Sequence, residues 1–288
     1  MDLAAVILVE IVYAIASLFL ISAGLAIVFG MMKVINLAHG EFMMLGGYAA
    51  ITAVNYGINI FIAILVIAPL VVGLIGLVVE RLVIRHLYGR LVDTMLATWG
   101  LSLFFIGAVT MIFGNTTTGI STPIPGFPVG AYQINGYNFF IILVAILLVI
   151  AMVAVLKGTR IGLVARGTMQ RSDMAAALGY NPDRIYMATF FVGSALSGLA
   201  GAVLAPLVGL VPTSGGAFIA KAFITVIAGG PSLVAGLMSS AGIFGLVNQV
   251  FTFAISPVLG EVALLVAAVV LLRILPQGVT GRFFKGKL

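Results

Sequence analysis

The sequence predicts an all-α fold, a polytopic transmembrane helix bundle of about eight spans within a range of seven to nine, and three observations predict it. Of the 288 residues 62% are hydrophobic and only 8% charged, and the mean hydropathy is +1.29, a balance no water-soluble domain could hold. Apolar runs of about 20 residues recur with short connections between them, which is the length that crosses a bilayer as a helix. The few charges gather in loops. No stretch is long or polar enough for a separate soluble domain, so residues 1–288 read as a single transmembrane domain.

The first 30 residues lack a basic leading segment and stay apolar for longer than the core of a signal peptide, so they read as an uncleaved first span. Asp2 and Glu10 flank this run and Lys33 follows it, which predicts an external N-terminus and an inward first crossing. A polar break, INLAHGE, leads into a short second span from about Phe42 to Val54, and a third returns from about Ile60 to Val79. Arg81, Arg85 and Arg90 mark the next loop as cytoplasmic. A fourth span, Thr94 to Phe113, ends in an uncharged stretch rich in Gly, Thr and Pro that suits an external loop. The fifth, Phe139 to Val155, comes back to Lys157 and Arg160.

A polar island then runs from Ala165 to Arg184. Its Arg166, Arg171 and Arg184 place it on the cytoplasmic side. Within it Asp173, Met174, Ala175, Ala176, Ala177 and Leu178 are mostly strong helix formers, Gly179 follows, and Asn181-Pro182 cannot continue the same helix. A short helix with a sharp stop is predicted. The sixth span starts near Ile185 and carries Gly193, Ser197, Gly201 and Ala205 at fourfold spacing, a small-residue face on which helix backbones can approach closely. Gly229-Gly230-Pro231 interrupts the following apolar run, predicting a short or broken helix. Two further runs, Leu237 to Ile255 and Val262 to Ile274, precede a basic tail with Arg282, Lys285 and Lys287, read as cytoplasmic.

Basic residues outnumber acidic ones 14 to 8, for a net charge of +6. That excess follows the loops and reports topology, not nucleic-acid binding. With no cysteine and two distant histidines, His39 and His86, neither a thiolate nor an imidazole metal site has its ligands, and no cofactor is expected. The tail GRFFKGKL imitates a phosphate loop, but Leu288 stands where Ser or Thr is needed. No nucleophile constellation supports hydrolysis.

Asn36, His39 and Glu41 cluster at the junction of the first two spans, with Glu41 in the opening turn of the second. The plainer reading is a capping loop at the cytoplasmic surface. The other is a polar path within the membrane, where ionisable groups face a cavity or a partner. Thr94, Thr98 and Ser102 form a polar stripe on one face of the fourth span, which suits helix packing more often than a solute. Lys221 and Glu261 sit within apolar segments; a pathway charge or a buried pair is one reading, and reaching the interface explains each more cheaply.

Four segments together resemble one family. They are Gly24 to Tyr48 (GLAIVFGMMKVINLAHGEFMMLGGY), Ala165 to Pro206, Lys221 to Gly236 and Leu271 to Gly281. They are similar to the membrane-spanning permeases of bacterial ATP-binding-cassette (ABC) importers for branched-chain amino acids, urea and short amides. DTMLATWGLSL and GLVNQ look closer to the urea and amide branch. One departure stands at AGGPSLVAG, where the family usually has another glycine soon after the pair. The resemblance implies a permease that does no chemistry on its solute and lies in the cytoplasmic (inner) membrane. Its partners would be a second, related permease, two cytoplasmic ATPases and a soluble periplasmic solute-binding protein. It also implies that the helix from Asp173 to Gly179 is a coupling helix seated in the ATPase and flanked by Arg166 and Arg171. Asn36, His39 and Glu41, with Thr94 and Thr98 behind them, become the pathway candidates. The competing class is a secondary transporter or channel that needs no ATPase.

Overall fold

The computed structural model describes residues 2–130 and 132–281, and the basic tail with Arg282, Lys285 and Lys287 lies outside the described residues. The chain is a polytopic membrane protein of the all-α class. Its helices are α1 (Asp2–Met32), α2 (His39–Asn55), α3 (Ile60–Leu82), α4 (Leu91–Phe113), α5 (Tyr137–Gly158) and α6 (Arg160–Gln170). They continue as α7 (Ser172–Ala177), α8 (Pro182–Val208), α9 (Gly215–Gly229), α10 (Leu233–Ala254) and α11 (Pro257–Ile274). Seven of the described helices, α1, α3, α4, α5, α8, α10 and α11, are long and apolar enough to cross a membrane. α2 and α9, at 17 and 15 residues, are only about 25 and 22 Å long at ~1.5 Å per residue, short of the ~30 Å hydrocarbon core.

Three features depart from the sequence reading. α6 is a separate amphipathic helix that the polar island concealed, capped by the Thr159 hydroxyl accepting from the Gly162 amide at 3.1 Å. A small hairpin, β1 (Phe127–Val129) with β2 (Tyr132–Ile134), sits in the long loop after α4. α3 contains a π-turn at Ala63–Ile67, just before Pro69. Proline has no N–H to donate to the preceding turn, and wider hydrogen bonding there accommodates the loss.

Two compact units organise the chain. The first comprises Met1–Ser22, Thr122–Val149 and Lys221–Leu288. In it α10 and α11 pack antiparallel across the Ile255-Ser256 turn, and Gly245 lies against the backbone of Ile15. The predicted interruption is real: α9 stops at Gly229, and Gly230 takes a φ of +82° that suits glycine. Residues 277–281 strap this break, with the Val279 amide donating to Ala228 O at 2.8 Å and the Thr280 hydroxyl to Gly229 O at 2.6 Å. Lys221 and Glu261 do not reach outward separately. Their Nζ and Oε1 pair at 2.6 Å between α9 and α11, with the Glu261 side chain more than half exposed.

The second unit, Ala23–Ser121 with Ile150–Ala220, is built around α8. Gly193 approaches Gly24 of α1, Gly201 lies on the Met43 backbone of α2, and Gly198 faces Gly46 on one side and Val72 on the other. Ser197 and Ala205 share this buried face. Backbones this close gain dispersion contacts along their whole length, which is the main attraction available between helices in lipid. Phe42 fills the space beside them, edge-on to Phe105 and Phe190 at centroid distances of 5.5 and 6.0 Å.

Candidate functional site

The polar break between α1 and α2 is placed by what it touches. His39 Nδ1 lies 3.1 Å from the Ser197 hydroxyl, which also donates to Gly193 O at 2.8 Å. A serine hydroxyl has one hydrogen, so once it is used on Gly193 the network closes with the His39 Nδ1–H donating to Ser197. Ser197 stands roughly 15 residues into α8, about 22 Å along its axis and near its midpoint. α1 ends lower, with Met31 Sδ against the Thr189 hydroxyl at 3.9 Å. The chain therefore turns below this level and climbs before α2 begins. INLAHGE is thus packed inside the second unit, with Asn36, His39 and Glu41 buried against its neighbours.

A set of hydrogen bonds holds the break. Asn36 Oδ1 accepts from the Ala38 amide at 3.1 Å, an Asx turn that starts α2. The Thr98 hydroxyl accepts from the Leu37 amide at 3.0 Å and donates to Thr94 O at 2.8 Å. Thr94 spends its hydroxyl on Arg90 O at 2.6 Å. Ser102, the third residue of the stripe, donates to the Glu41 carboxylate, which also takes its own backbone N–H. Glu41 is 3% exposed, and its Oε2 has no hydrogen-bond partner among the described residues. Asn36, His39, Glu41, Thr94 and Thr98 are thus all buried, and the first three lie on the chain that Thr98 pins.

A second helix start adjoins the same place. A β-carbon on Gly215, the first residue of α9, would come within 2.8 Å of the Glu41 amide nitrogen and 2.9 Å of its Oε1. Only glycine permits that approach. Sequence reasoning missed Gly215 and treated Ser197 as a packing residue alone. The available signal was the Gly215-Gly216 pair following Thr213-Ser214, which is turn-like between two apolar runs.

The polar island has a different character. α7 ends in a left-handed Gly179 at φ +88°, and the Asn181 side chain caps α8 by accepting from Asp183 N and Arg184 N at 3.0 and 3.3 Å. Ala175 is buried, while Ala176 and Ala177 are exposed, as are Met174 at 62% and Leu178 at 76%. Arg166 folds back on Gly162 O at 3.3 Å, and Arg171 pairs with Asp173 at 3.8 Å in the open. Beside it, the Tyr88 hydroxyl donates to the buried Glu80 and its ring meets Tyr186 of α8 edge-on at 5.1 Å. Burial first, then the Glu80 carboxylate, raises the Tyr88 hydroxyl well above its ordinary range, so it stays protonated and remains a donor.

Residues 7–275 match the model of the family described as branched-chain amino acid transport system, permease component. The chain belongs to this family. The high-affinity branched-chain amino acid transport system permease protein LivH of Escherichia coli (strain K12) is 28% identical over 280 residues, covering 91% of each chain. BraD of Pseudomonas aeruginosa, a permease protein of the same description, is 27% identical over 281 residues, again 91% of each. The probable branched-chain amino acid transport permease protein LivH of Methanocaldococcus jannaschii is 26% identical over 282 residues, 92% of this chain and 88% of that one. No solved structure matches the chain significantly. This permease is accordingly a transport subunit of the ABC importer type and not an enzyme.

Proposed function

We propose that this permease passes a branched-chain amino acid, or a related small polar solute such as urea or a short amide, into the cytoplasm as one half of a permease pair. Two cytoplasmic ATPases drive the pair, and a soluble periplasmic solute-binding protein feeds it. Residues 1–288 act as one transmembrane permease domain in the inner membrane, with the N-terminus outside and the C-terminus in the cytoplasm. Branched-chain amino acids head the solute classes because the relatives above carry that description in their names.

The observation that carries the reading is the exposed apolar surface of α7. Met174 and Leu178 stand open beside Arg166, Arg171 and Asp173, in a segment too short and too polar to meet lipid as a span. An apolar ridge rimmed by charge suits a protein groove. Gly179 and the Asn181 cap hold the ridge rigidly against the start of α8, so a push on α7 reaches the helix at the centre of the second unit. ATP binding would favour the outward-open pair and hydrolysis would return it, each state differing in its contact with the ATPase. Asn36, His39, Glu41, Thr94 and Thr98 line or support the solute pathway.

Leu178→Glu tests the coupling. It is expected to lower ATPase co-purification and solute uptake by about tenfold or more while the permease still inserts. Unchanged uptake would refute the docking role. The rival reading, transport without an ATPase, draws on the buried carboxylates Glu41 and Glu80. Ion-gradient-driven uptake by this chain alone in liposomes would favour it.

A further inference from the structure

We propose that Glu41 Oε2 is the acceptor for the ammonium group of an α-amino acid in transit, a subsite that rests on the transport reading above and narrows it to a cationic nitrogen. Glu41 is buried to 3% exposure, and Oε2 is without a hydrogen-bond partner among the described residues. Its other interactions come from neutral donors, the Ser102 hydroxyl and its own backbone N–H. The neighbouring polar side chains with recorded partners are already spoken for. Thr98 holds the Leu37 amide, Asn36 holds the Ala38 amide, and His39 Nδ1 faces Ser197. The nearest cation along the chain, Lys33, is exposed.

A carboxylate buried without a cation is costly, and an ammonium arriving from solution relieves that cost through a charge-assisted hydrogen bond. The position adds to the argument. Glu41 lies beside the level of Ser197, near the midpoint of α8, where two helices begin against each other at Gly40 and Gly215. Half-length helices starting near mid-span are where transporters can offer polar groups to a solute without exposing them to lipid. A neutral amide would gain less, since a glutamine oxygen could accept its N–H nearly as well.

The test uses the assembled importer, with its permease pair, ATPases and receptor, in proteoliposomes with radiolabelled leucine as the probe. Leucine delivered per ATP hydrolysed is the readout, since a merely structural defect would lower both quantities together. Glu41→Gln is expected to lower that ratio about tenfold or more, and Glu41→Asp, which keeps the charge, to restore it to within about threefold. A wild-type ratio in Glu41→Gln overturns the proposal, because the carboxyl would then be carrying a proton and meeting no ammonium. Equal failure of Gln and Asp overturns it as well. Should Glu41→Gln not assemble, Ser102→Ala loosens the carboxylate without removing it and should raise the KM for leucine about threefold; an unchanged KM counts against the proposal. If the wild-type importer takes up no leucine, the transport reading itself has failed. Wild-type uptake with an indifferent Glu41→Gln sinks this inference alone.

Discussion

The segment joining α1 to α2 and the segment joining α6 to α8 are both short interruptions between helices, and they invert one another. In the first, polar side chains are buried: Asn36, His39 and Glu41 are all but sealed from solvent. In the second, apolar side chains are open, with Met174, Leu178 and Tyr180 all exposed. Each arrangement opposes what solvent sorting alone would produce. Buried polar groups cost free energy unless hydrogen bonds offset it, and the break answers with Thr98, Ser197 and Ser102. Glu41 Oε2 is the exception, without a partner among the described residues. The apolar ridge has no such set of contacts, and that contrast separates a region held largely by its own hydrogen bonds from one whose apolar surface stands open.

The largest expected effect lies under the break. Gly201→Leu would drive a side chain into the Met43 backbone, which cannot move aside as a flexible side chain would. A loss of about 3 kcal/mol or more is expected, read as a failure to yield folded permease in detergent. Normal yield and thermal stability would mean that the break is not held by close backbone contact. Thr98→Val comes next. It keeps the shape but strands the Leu37 amide, and should cost about 1–3 kcal/mol, with hydrogen exchange speeding up at Leu37 and staying unchanged at α7. An equal rise in both places would erase the distinction between the hydrogen-bonded break and the open ridge. The smallest effect belongs to the open side: Asn181→Ala removes the exposed cap of α8 and should cost about 1 kcal/mol, seen as fraying of residues 182–186 while the break keeps its protection.

Much of the helical order was legible, because a span is a matter of local composition. α7 was legible too, since alanines, then glycine, then Asn-Pro spell a helix and its stop. α6 was hidden because its Ile161, Leu163 and Val164 are interleaved with glycine and arginine, which reads as polar loop when averaged. The depth of INLAHGE could not be read at all. Hydropathy reports how apolar a segment is, not which residue of another helix it stands beside, and only the contact of His39 with Ser197 supplies that level. Lys221 and Glu261 illustrate the same limit: 40 residues apart, they read as a pair or, more cheaply, as two long side chains seeking the interface, and only folding decides for the pair.

What the sequence determined by itself was everything set by neighbours along the chain: the apolar spans, the glycine and proline punctuation, the fourfold small-residue face and the threonine stripe. Tertiary structure alone decided that α2 and α9 begin against each other at Gly40 and Gly215, that Ser197 serves His39 as well as packing, and that one Glu41 oxygen has no partner among the described residues. The physical reason is range. Helix propensity and hydropathy act within a few residues, whereas the burial of a charge depends on which distant backbones close around it.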